Sequence, residues 1–124
     1  GPSPDRVRRV LLCSGKVWYE LAKRRADGDL DQVAILRLEQ LYPFPAQALL
    51  AQLDAYPNAE RVLWAQEEPE NMGAWRYVRL KAEQELGLRL EPVTRDEGAA
   101  PAAGSPTLHS QEQQELLDRA FAGL

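Results

Sequence analysis

Short, nearly unbroken apolar runs alternate along this chain with stretches whose apolar positions recur every three or four residues. Arg8–Cys13 (RRVLLC), Val33–Leu36 (VAIL) and Val62–Ala65 (VLWA) are of the first kind. Runs this short and this rich in branched residues suit strands buried on both faces of a parallel sheet. Between Lys16 and Arg25, Val17, Trp18, Leu21 and Ala22 fall on one side and Glu20, Lys23 and Arg24 on the other, which predicts an amphipathic helix ending at Gly28. A second helix is predicted over Ala46–Leu53 behind Pro45, and a third over Ala74–Leu86, stopped by Gly87. Leu88–Pro92 alternates apolar and polar, as an edge strand does, and Ser110–Ala122 reads as a last helix presenting Leu116, Leu117, Ala120 and Phe121. Strand and helix therefore alternate, and the predicted fold is a three-layer α/β sandwich: a mostly parallel sheet of about four or five strands with helices on both faces. Gly1–Arg6, with its two prolines, reads as a linker, and residues 7–124 as one domain.

Composition narrows the function more than the fold. The chain has 124 residues, 44% of them apolar and 27% charged, which suits one soluble domain with a single core. A formal net charge of -4 speaks against nucleic acid as a main partner, because phosphate binding needs a concentration of Lys and Arg. No apolar run is long enough to span a membrane, and GPSPDRVRR lacks the apolar core of a secretory signal. One cysteine, Cys13, and one histidine, His109, leave no Cys- or His-based metal site, and a single thiol fits a reducing cytoplasm.

Ligands of open parallel sheets sit at the carboxyl ends of the strands, and three segments fall there. Ser14-Gly15-Lys16 turns the first strand into the first helix; Ser14 as a helix cap is the simpler reading, and an anion site completed by Lys16 is compatible with it. The spacing is not that of a P-loop. Arg37, Glu39 and Gln40 precede the double-proline turn Tyr42-Pro43-Phe44-Pro45, with Arg37 and Glu39 on one side of an extended strand where they can pair. Gln66-Glu67-Glu68-Pro69-Glu70-Asn71-Met72-Gly73-Ala74-Trp75 gathers three glutamates at the third strand end; without a nearby His or Asp it fits a subunit contact with Trp75 as an apolar anchor better than a metal site. Cys13 closes a buried strand and reads as an inert core thiol, and His109 as a capping or packing residue. No nucleophile, base and oxyanion site assemble.

Taken together, Val10–Val17 with Tyr19, VAILRLEQLYPFP, WAQEEPENMGAW, and a tail carrying Pro101, Gly104, His109, Glu112-Gln113 and Leu116 resemble the end of the 2-oxoglutarate dehydrogenase decarboxylating component. The resemblance runs from about Val7 to the end, and RLEQLYPFP and QEEPENMGAW are long, ordered motifs. It implies a transketolase C-terminal-like domain of an oxidoreductase that uses thiamine diphosphate and Mg²⁺, decarboxylates 2-oxoglutarate in the tricarboxylic acid cycle and passes succinyl to a lipoyl carrier. The cofactor and substrate residues are then expected in preceding domains, with no catalytic residue and no cofactor here. The implied partners are those domains, the second subunit of a homodimer and the lipoyl succinyltransferase complex, with Glu67, Glu68, Asn71, Trp75, Arg95 and His109 as contact candidates. Acetyl-CoA or AMP is an implied effector, with Ser14, Lys16, Arg37 and Gln40 as the residues to test. The alternative is a free-standing nucleotide- or CoA-binding regulatory module. One departure stands out: Thr94-Arg95-Asp96-Glu97-Gly98-Ala99-Ala100 replaces the family's Gly-Arg-Pro and Ser/Ala-rich stretch, so that Arg95 alone keeps the basic character.

Overall fold

The computed structural model describes residues 3–95 and 106–124. Four strands form one sheet: β1 (Arg9–Cys13), β2 (Val33–Arg37), β3 (Arg61–Pro69) and β4 (Glu91–Arg95). All three pairings are parallel and the spatial order is β2-β1-β3-β4. The helices are α1 (Val17–Asp27), α2 (Ala46–Asp54), α3 (Trp75–Leu86) and α4 (Pro106–Phe121). The sandwich is the predicted one, with four strands among the described residues and β4 at an edge. The edge strand lies three residues later than Leu88–Pro92, because Leu88 and Leu90 pack beneath the sheet before pairing begins.

Side chains alternate across a strand, and in this sheet the odd-numbered ones share a face. Leu11 and Cys13 of β1, Val33 and Ile35 of β2, Leu63 and Ala65 of β3 and Val93 of β4 pack with Val17 and Leu21 of α1 and Leu116, Leu117, Ala120 and Phe121 of α4. The even-numbered Val10, Leu12, Ala34, Leu36, Val62 and Trp64 meet α2 and α3 through Leu49, Trp75, Val78 and Ala82. Both faces of β1 are thus apolar, which explains its unbroken run.

Three helix boundaries differ from expectation. The last helix, α4, begins at Pro106, four residues before Ser110, so His109 lies inside it and does not cap it. Ser14 does not cap α1: Lys16 occupies the cap position and no side chain bonds the helix start. Gly15, at φ +78°, turns the chain so that the Trp18 and Tyr19 amides donate to the carbonyls of Gly15 and Lys16. Pro45 stands at the cap of α2 rather than inside its first turn. Pro4–Arg6 forms a single 3-10 turn, tied down by an Arg6–Asp31 ion pair at 3.1 Å and by Asn58 Nδ2 donating to Asp5 O at 2.9 Å. Pro101, Gly104 and the substituted segment 96–100 lie outside the described residues.

Candidate functional site at the carboxyl edge

The strand order reverses direction between β1 and β3: one connection leads from β1 outward to β2, and the next returns past β1 to β3. A crevice at such a switch point, beyond the strand ends, is where open α/β sheets hold ligands and contacts. Parity decides what meets there. Arg37, Glu67 and Arg95 are odd-numbered strand-end residues, so they face α1 and α4, whereas Gln66 turns to the opposite layer.

On the first side Gln113 of α4 is the hub. Its Nε2 donates to Glu20 Oε2 at 2.5 Å and to Glu67 Oε1 at 3.0 Å, and its Oε1 accepts from Arg95 Nη2 at 2.6 Å. Arg95 Nη1 lies 3.3 Å from Glu112 Oε2 and 3.2 Å from His109 Nδ1. Since a guanidinium only donates, that ring nitrogen accepts. One amide thereby joins α1, β3, β4 and α4. Gln113 is buried, and a buried amide with both ends engaged fixes its neighbours' orientation.

On the second side Gln66 Oε1 accepts from Trp64 Nε1 at 2.9 Å, while its Nε2 donates to Pro69 O at 2.9 Å and Met72 O at 2.8 Å. The loop to α3 is therefore shaped from inside by a side chain only 4% exposed. Gly73 at φ +67° completes it, since a β-carbon there would stand 3.2 Å from the Gln66 amide and from the Glu68 carboxyl carbon. Glu68, Asn71 and Met72 are left exposed on the outer surface of this loop.

The sequence-predicted residues fall into separate groups. Arg95 and His109 join Glu67 through Gln113; Glu68 and Asn71 face solvent; Trp75 is buried in the core beneath α3. Among the effector candidates, Lys16 is exposed, Ser14 half-buried, and Gln40 donates to Tyr42 O at 2.9 Å. Arg37 does not pair with Glu39. Its guanidinium lies 5.2 Å from the Tyr19 ring centre and 5.9 Å from that of Trp18, a cation–π arrangement with no acidic partner among the described residues. Tyr77 Oη donates to Leu41 O at 2.9 Å and its ring packs 4.3 Å from Tyr42, holding the turn that contains the cis Tyr42–Pro43 bond. Burial pushes the Cys13 thiol up to about 12 against the opposing Arg37 charge, in keeping with an inert core residue. Sequence pattern does not single out Glu20, Gln66 or the central place of Gln113. The available signal was parity, which sets Gln66 inward beside Trp64.

Comparison with known proteins agrees with this architecture. The family described as 2-oxoglutarate dehydrogenase C-terminal matches residues 2–121. The chain is 43% identical over 122 residues to the 2-oxoglutarate dehydrogenase E1 component of Cupriavidus necator, covering 97% of this chain and 13% of that protein. It is 48% identical over 120 residues to the multifunctional 2-oxoglutarate metabolism enzyme of Mycolicibacterium vanbaalenii, covering 94% of this chain and 10% of that one. Among solved structures, a split-gene transketolase, an inactive β4 tetramer, superposes with a TM-score of 0.62 at 11% identity, over 91% of this chain and 39% of that chain, which supports the fold. The chain thus spans about an eighth or less of the curated relatives it matches. With a match over nearly its whole length and this level of identity, the chain belongs to the 2-oxoglutarate dehydrogenase C-terminal family.

Proposed function

We propose that residues 7–124 are the C-terminal structural and regulatory domain of a cytoplasmic 2-oxoglutarate dehydrogenase E1 component, with residues 1–6 as the connection to what precedes it. The parent decarboxylates 2-oxoglutarate and transfers succinyl to a lipoyl carrier in the tricarboxylic acid cycle, using thiamine diphosphate and Mg²⁺ held by its other domains. The observation that carries this reading is the family match from residue 2 to 121 in a chain that spans 10–13% of its relatives' length. Among the described residues no three His, Cys, Asp or Glu side chains converge on a cation position, and Glu67 is engaged by Gln113, so these residues do not fit Mg²⁺.

In this reading the carboxyl edge meets the preceding domains, the homodimer partner and the succinyltransferase complex. Glu68 and Asn71 make direct contacts; Glu67, Arg95, His109 and the buried Trp75 hold the contacting loops in place. The regulatory part rests on Arg37, fixed over two rings and free of an acid partner among the described residues, together with exposed Lys16 and with Ser14 and Gln40 as further candidates at the same sheet edge. Acetyl-CoA or AMP supplies the phosphates such a group would bind. Titration of the parent enzyme with each nucleotide tests this. A change in activity or melting temperature that Arg37→Gln abolishes supports the site, and no change with either ligand contradicts it.

A further inference from the structure

At the opposite end of the sheet the same odd-numbered face carries a second polar group, away from the carboxyl edge. Arg9 of β1 and Arg61 of β3 are register partners and therefore lie side by side. Arg61 is fully engaged, its Nε and Nη2 each 2.9 Å from a different oxygen of Glu91. Arg9 is not. It is 3% exposed, its Nη1 donates to Ala120 O at 2.9 Å at the end of α4, and its Nε is buried without a partner. No carboxylate among the described residues pairs with it.

A guanidinium has five N–H donors and keeps its charge, and a buried charge without a counter-ion is strongly destabilising unless something completes it. Burial first, then the adjacent Arg61 charge, hold Arg9 below the usual guanidinium range, with Glu91 opposing. The space beside it is a cleft of about 260 Å³ lined by Arg8, Arg9, Arg61, Glu60 and the final Gly123-Leu124. Arg9 Nη2 faces into it, 3.8 Å from where a β-carbon on Gly123 would stand. The volume is below the roughly 300 Å³ at which pockets begin to hold drug-sized ligands, so the occupant is small. Guanidinium forks match carboxylate and phosphate oxygens in geometry as well as charge.

We propose that this amino-end cleft is a binding site for a small oxyanion, a carboxylate or a phosphate, held by the Arg9 guanidinium. It is independent of the effector residues at the carboxyl edge. The test follows the Arg9 Nε–H resonance in protein labelled with ¹⁵N-arginine while inorganic phosphate, and separately acetate, is added against sodium chloride of equal ionic strength. A saturable shift of that resonance with either anion is expected. Arg61→Gln, which removes the neighbouring charge on the same face and frees Glu91 to compete for Arg9, is expected to weaken the binding about tenfold. Saturation by both anions identifies a general oxyanion site, and by one alone fixes its class. If neither anion moves the resonance beyond the chloride control, or if binding saturates without involving Arg9 and without responding to Arg61→Gln, the proposal is overturned.

Discussion

Arg95 Nη2 and Gln113 Oε1 stand 2.6 Å apart, and this contact ties the end of β4 to α4. Because the Gln113 carbonyl is taken, its amide must face Glu20 and Glu67. Gln113→Leu removes a donor and an acceptor from three charged groups at once, and a loss of about 2–3 kcal/mol is expected. Gln113→Glu should cost more at neutral pH, since it sets a third carboxylate against two others. Urea midpoints of both variants check this; a Leu variant as stable as the unsubstituted protein would show that the network holds nothing together.

The loop from β3 to α3 should prove equally sensitive from within. Gly73→Ala places a β-carbon 3.2 Å from the Gln66 amide at φ +67°, where an L-residue costs roughly 1–2 kcal/mol before any clash. Gln66→Leu leaves the Trp64 indole and the Met72 carbonyl without their Gln66 partner, while Pro69 O keeps the Met72 amide, with a similar or larger loss. Thermal melts should show both variants well below the parent, and a control at Asn71, exposed on the same loop, unchanged.

Cys13 is fully buried with its thiol raised to about 12, so almost no thiolate exists at neutral pH. Alkylation by iodoacetamide should therefore proceed only as fast as the domain opens, and should accelerate with urea in step with unfolding. Rapid labelling of the native protein would contradict the burial of β1 between its two layers.

The Arg61 fork holds the Glu91 carboxyl below its ordinary value, first by its hydrogen bonds and then by its charge, against partial desolvation. A carboxyl lowered in the folded state adds stability that is present above its unfolded value and disappears as pH falls through the folded one. Both side chains are nearly half exposed, so solvent screening keeps the effect small. Glu91→Gln should lower the urea midpoint slightly at neutral pH, and the two curves should converge in acid. A difference that persists below the folded value would assign the effect to packing instead.

Much of the fold was legible because β1 and its neighbours carry apolar residues on both parities, and the helices carry them at three- and four-residue spacings. The start of α1 was not. Ser14 has the chemistry of a cap, but Gly15 turns the backbone through a positive φ and moves the helix start past it. At the site, the strand-end residues Arg37, Glu67 and Arg95 were legible, since position and residue type single them out. Their partners were not, because Gln113 lies 46 residues from Glu67 and 93 from Glu20, and no local pattern links them. The expected Arg37–Glu39 pair failed for a related reason: two aromatic rings from α1 compete for the guanidinium.

In the function proposed above, this domain supports a thiamine-dependent decarboxylation without carrying it out. The most direct measurement is CO₂ release from 2-oxoglutarate by the isolated chain, supplied with thiamine diphosphate and Mg²⁺, beside the parent enzyme in the same assay. Turnover is expected from the parent enzyme and none from the chain above the protein-free control. Sustained turnover by the chain alone, lost on unfolding, would contradict it and place the chemistry within these residues.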